Sequence, residues 1–147
     1  PALIVLGLAA LLFILWWRSQ KKPSVPEQVI SLKERSLLAI DALERERLWE
    51  KNKLKTHYIE LSYILRSYLS SRYQLSLLEN TSKEAQLLLK QKGLHPETIR
   101  TIGIVLDQSD LVKFARSKPD EQEILKISQL VRQVIAETSP LEFDRDE

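Results

Sequence analysis

The chain contains no cysteine. That excludes disulfides, thiol catalysis and cysteine-based metal sites together. Glycine and proline are scarce as well, with 3 and 6 among 147 residues. So few helix breakers in a chain that is 44% hydrophobic and 29% charged point to long helices with solvated faces. The formal net charge of +2 is too small to argue for nucleic acid on its own. The two histidines, His57 and His95, lie far apart and have no metal-site spacing. His57 has Glu60 three residues on, but one histidine with one carboxylate is too common a pair to specify a metal. There is no Gly-rich phosphate loop, and nothing brings a serine, a histidine and an acid together. No catalytic residue, cofactor site or metal ligand is therefore assigned, and the chain reads as a non-enzyme.

What the chain does have is one long apolar run. Ala2 to Trp17 carries no charged or polar side chain apart from the terminal indoles. As a helix it spans roughly 24 Å, at about 1.5 Å per residue. That is slightly short of a hydrocarbon core about 30 Å thick. Snorkelling by Arg18, Lys21 and Lys22, or residues upstream, makes up the difference. A buried helix of a soluble domain would show an amphipathic face, which this run lacks. A signal peptide would show a basic start and a small-residue cleavage site, which it also lacks. Residues 1–18 are therefore expected to form a transmembrane helix. Trp16 and Trp17 occupy the interface, and the basic cluster after them marks the cytoplasmic side, with the N-terminus outside. Because the first residue is Pro and not Met, the chain is expected to be a fragment or a processed product.

Residues 19–26 read as a juxtamembrane linker, with two Pro and two Ser among basic residues. Residues 27–139 are expected to form a compact all-α bundle of about five helices. Pro26 suits a first helical turn, and Val29, Leu32, Ser36, Ala39 and Leu43 follow at helical spacing. That helix ends within Glu44 to Arg47 or bends near Trp49 to Asn52. A second helix runs from Leu54 to about Tyr73 on the stripe Leu54, Tyr58, Leu61, Leu65, Tyr68. After a loop whose leucines tuck under the bundle, Thr81 and Glu84 form a capping box for a third helix. It runs through Gln91 and ends at Gly93. His95-Pro96 starts a fourth helix carrying Ile99, Ile102 and Leu106, with a separate short piece, DLVKFAR, after it. Pro119 opens the last helix, on Ile124, Ile127, Val131 and Val134, and residues 140–147 form an acidic tail expected to be disordered.

The block from Tyr58 to Tyr73 with its ILRSYL core, the Thr81–Glu84 pair, and DLVKFA at Asp110 to Ala115 followed by Pro119 carry a resemblance. With the preceding apolar helix, they resemble the transmembrane helix and cytoplasmic helical C-terminal region of BatD-like proteins, the Bacteroides aerotolerance family. The resemblance implies a bacterial inner (cytoplasmic) membrane protein with a single pass and β-sandwich-like domains upstream, outside the membrane. It also implies partnership with a MoxR-type AAA+ ATPase and with von Willebrand factor A domain proteins, in an envelope or stress-related complex. It carries over no catalytic residues.

Two groups of side chains stand out as sites. Arg66 lies in the most apolar stretch of the second helix, and a buried guanidinium needs a partner. Asp110 is the preferred one, with Glu60 and Asp107 as alternatives. The pair reads first as a structural salt bridge between helices, and second as a charged pocket for a partner's carboxylate. Lys113 and Arg116, three apart beside Phe114 with Lys118 close by, form a candidate partner-binding surface for lipid headgroups, nucleic acid or an acidic protein. The plainer reading is a solvated helix face. Tyr58, Tyr63, Tyr68 and Tyr73 recur every five residues and so spread around the helix without forming a stacking platform.

Two functions follow. The first is a membrane-anchored protein–protein interaction module, lying against the lipid bilayer and recruiting other proteins. The second is a membrane-tethered helix-turn-helix over Thr81 to Ile102, which is disfavoured because PETIRTIGIVLDQ offers only Arg100 as a base. No nucleic acid is therefore expected as a partner.

Overall fold

In the computed structural model of the chain, residues 30–141 are described, and they fold as five α-helices and one 3₁₀ turn with no strand among them. The apolar run, the linker and all but the first residues of the acidic tail lie outside the described residues. None of the described helices is long and apolar enough to cross a membrane.

Helix α1 spans Leu32–Glu46. It starts at Ser31, whose hydroxyl accepts the Glu34 amide at 3.1 Å, and not at Pro26 as the first-turn preference of proline suggests. A serine that caps an orphan amide defines a start more strongly than a proline that merely tolerates one. The helix stops at Arg47 in the left-handed conformation. A 3₁₀ turn, Leu48–Lys51, and a second left-handed residue, Asn52, then reverse the chain. The bend expected near Trp49 to Asn52 is this turn.

Helix α2, Leu54–Tyr73, is central. It packs on α1 and the turn and also meets the two helices α4, Pro96–Phe114, and α5, Glu121–Thr138. That position explains why Tyr58, Leu61, Leu65, Tyr68 and Leu69 are all buried, more than one face of an ordinary amphipathic helix. Helix α3, Ser82–Gln91, has the expected reciprocal cap between Thr81 and Glu84, and Gly93 beyond its end has φ +84°. Between α2 and α3 the loop folds back along α2. Leu77 is fully buried, and its amide donates to Ser70 Oγ at 3.1 Å.

Helix α4 corrects the sequence reading. DLVKFAR is no separate piece: α4 continues through Asp110 and Leu111 to Phe114. No breaker lies between Leu106 and Phe114, and the buried stripe continues through Ser109, whose hydroxyl is satisfied within the helix by Val105 O at 2.7 Å. The last helix starts at Glu121, two residues later than expected, since Asp120 is its cap, in a capping box with Glu123, and Pro119 precedes it. Ile124, Ile127, Val131 and Val134 are buried as their spacing requires.

Polar ties fix how the helices run. Arg132 of α5 forks to Asp41 and Glu44 of α1, and Arg47 reaches Glu121. At the other end of α5, the Tyr68 hydroxyl meets Ile135 O at 3.2 Å, Thr138 Oγ1 at 2.9 Å and Ser139 Oγ at 3.1 Å. Thr98 near the start of α4 donates to Glu137 at 3.1 Å. Helices α4 and α5 are thus antiparallel, and Ile30 and Leu141 leave the bundle at the same end, opposite Phe114. Tyr68→Phe removes the hydroxyl while keeping the ring. It is expected to cost about 1–2 kcal/mol in urea unfolding, the usual cost of losing a buried hydrogen-bond donor.

Candidate functional site

Arg66 projects from α2 toward the returning loop, where its side chain is 9% exposed. Its guanidinium donates to Leu77 O at 2.8 Å, to Asn80 O at 2.7 Å and to Ser82 Oγ at 3.2 Å. Ser82 in turn donates its hydroxyl proton to Asp110 Oδ2 at 2.6 Å. The direct Arg66–Asp110 ion pair expected from sequence is therefore replaced by a relay: the arginine is neutralised at a distance and held by backbone carbonyls. Burial pulls the Arg66 pKa down, and the charge of Asp110 opposes that shift. Glu60 and Asp107, the alternative partners, are both exposed and make no ion pair among the described residues.

Above this buried relay lies an open cleft of about 590 Å³ between α2, the α2–α3 loop, the start of α3 and the end of α4. Ser62, Arg66 and Ser82 form its base, and Asp110 and Lys113 are on the α4 wall. Ile59, Tyr63, Leu78 and Phe114 make a rim of exposed apolar groups, with Phe114 80% and Tyr63 55% accessible. The Lys113 ammonium lies 5.5 Å from the centroid of the Phe114 ring and 3.5 Å from Asp110 Oδ1. Both contacts keep the lysine against the wall, on a half-buried stem.

The structure thus brings Arg66, Asp110 and Lys113 into one site. It does not put Arg116 and Lys118 on the same helix face as Lys113. Helix α4 ends at Phe114, and Arg116 has φ +55°, with the Ser117 amide returning to Leu111 O at 3.1 Å. Both basic residues are exposed on the segment leaving the cleft and do not line it. The four tyrosines spread as expected: Tyr58 and Tyr68 are buried, Tyr63 is exposed and Tyr73 is partly covered.

Sequence reasoning missed the rim. Phe114 follows Leu111 and Val112 in one apolar patch of the sequence. Yet two residues past buried Val112 is about 200° around a helix, which points Phe114 outward. Ser82 carries no signal that distinguishes it from any first-turn serine. His57, dismissed as half of a metal pair, is fully buried with its ring edge-on to Trp49 at 5.1 Å and Tyr58 at 5.6 Å, while Glu60 is exposed. Among the described residues, no three potential metal-ligating side chains gather. Arg100 of the helix-turn-helix reading is exposed and pairs with Glu97 at 3.3 Å.

No family model matches the chain, and no curated protein or solved structure is significantly similar to it.

Proposed function

We propose that the chain is a membrane-anchored protein–protein interaction module whose working surface is the cleft between α2, α3 and α4. The observation that carries this reading is Phe114, 80% exposed at the mouth of a cleft whose buried base is already satisfied by its own hydrogen bonds. A large aromatic group left in water beside other apolar side chains marks a binding surface. The base offers no reacting group, since the Arg66 and Ser82 protons are committed within the fold. A role in catalysis is therefore not part of the proposal.

In this reading Ala2 to Trp17 spans a bacterial inner membrane and the bundle lies in the cytoplasm. The BatD-like resemblance supplies the candidate partners, a MoxR-type ATPase and von Willebrand factor A domain proteins. The helix-turn-helix alternative gains nothing, because Arg100, the one base of its PETIRTIGIVLDQ stretch, is paired to Glu97. A salt-sensitive gel shift with duplex DNA would replace the interaction reading with that one.

The test uses the full chain with Phe114→Ala and Tyr63→Ala combined, cross-linked in the source cells and analysed by mass spectrometry. Both positions are exposed, so unfolding free energy is expected to stay within about 1 kcal/mol of wild type. Recovery of the principal partner is expected to fall at least about tenfold, the scale of a lost interface anchor. Unchanged recovery with unchanged stability contradicts the proposal.

A further inference from the structure

We infer that the cleft takes an acidic peptide segment with one bulky apolar anchor, contributed by another protein that approaches the end of the bundle remote from Ile30 and Leu141. This rests on the docking role proposed above and gives its partner a chemistry.

The apolar half of the argument is the rim. Ile59, Tyr63, Leu78 and Phe114 surround about 590 Å³, room for one aromatic or leucine side chain and its neighbours. The base attracts no charge, because the Arg66 guanidinium is spent on Leu77 O, Asn80 O and Ser82 Oγ. Burial of the anchor supplies the affinity.

Charge selects the flanks of that segment. Asp110 is compensated inside the fold, by the Ser82 hydroxyl and by Lys113, so it does not repel an approaching carboxylate strongly. The Lys113 ammonium lies over the Phe114 ring. Arg116 and Lys118 follow at once, and neither makes an ion pair among the described residues. The left-handed φ of +55° at Arg116, a conformation better suited to glycine, turns the chain just past Phe114, and both cations are exposed there. One carboxylate opposes this, Glu79 on the loop wall beside Leu78. It orients the segment, with the acidic flank toward the end of α4 and a neutral or basic flank toward the loop.

The same cations beside an aromatic ring would also suit anionic lipid. The recessed cleft favours a peptide, because it accepts one side chain between Ile59, Tyr63, Leu78 and Phe114, whereas a flat lipid surface meets only the rim.

The experiment selects a random dodecapeptide phage library on the full 147-residue chain in neutral detergent and measures the enriched peptides by fluorescence anisotropy. The expected consensus is a single Phe, Trp or Leu flanked by Asp and Glu. Its Kd is expected to rise about tenfold or more in Arg116→Glu/Lys118→Glu and in Phe114→Ala, and to weaken with salt in wild type. The charge-reversed positions are exposed, and circular dichroism melts of each variant report whether the fold is kept. A basic or uncharged consensus that still depends on Phe114 overturns this inference and leaves the docking role standing. Peptides indifferent to Phe114→Ala, or no enrichment at all, overturn both. Displacement of the acidic peptides by phosphatidylserine vesicles assigns the basic rim to lipid and overturns the inference alone.

Discussion

Replacing Arg66 with methionine is expected to cost about 3–5 kcal/mol of unfolding free energy, the range for breaking a buried charged hydrogen-bond network. The substitution keeps most of the volume and removes every donor. Leu77 O and Asn80 O are then left without the guanidinium that satisfies them, and the loop that buries Leu77 loses its tie to α2. Arg66→Lys keeps the charge and loses the planar fork, so it is expected to recover only part of the loss. Asp110→Asn separates the relay from a direct ion pair. In the relay the carboxylate meets Arg66 only through Ser82, so the asparagine is expected to cost under about 1.5 kcal/mol. A buried direct pair would lose about 3–5 kcal/mol on the same change. Urea unfolding followed by circular dichroism gives all three values.

The second large effect depends on pH. His57, on α2, is fully buried against Trp49 of the 3₁₀ turn, and neither of its ring nitrogens has a hydrogen-bond partner among the described residues. Burial lowers its pKa below the ordinary 6.5, with Glu44 of α1 opposing the shift. Above pH 6.5 the imidazole is neutral in both states and contributes no pH dependence. Below pH 6.5 the unfolded chain takes up a proton that the folded chain refuses, so stability falls as the pH drops toward the folded pKa. The slope is expected to approach at most about 1.4 kcal/mol per pH unit, the limit for one proton. His57→Phe fills the same space between Trp49 and Tyr58 and removes both nitrogens. It is expected to abolish the slope between pH 5.5 and 7. A slope that survives in this variant assigns the dependence to another group.

What the sequence shows clearly is whatever is settled by near neighbours. The Thr81–Glu84 cap, the Leu54–Tyr73 stripe and the stop before Pro140 each rest on residues within a turn or two of one another, and all three stand in the fold. The break expected inside α4 arises because Asp107, Gln108, Ser109 and Asp110 interrupt the apolar pattern. Their alternation hides that only Ser109 faces inward, where it bonds its own helix. Arg66 shows the limit more sharply. Its burial is legible from Leu65 and Tyr68, but two of its three partners are main-chain carbonyls, which no residue type announces. The site was therefore half visible: Arg66, Asp110 and Lys113 were singled out and do meet in one cleft. The apolar rim was not, because its four members come from three segments that only the return of the α2–α3 loop brings together.

The central claim is that this cleft is where a partner docks. Its most direct test places a benzoylphenylalanine photo-cross-linker at position 114 or 63 of the full chain in the source cells, with position 38 as control. Leu38 is an exposed leucine on α1, away from the cleft. The expected result is one and the same protein adduct from positions 114 and 63, and none from 38. Adducts at position 38 equal to those at 114, or lipid adducts alone at 114 and 63, would contradict the account.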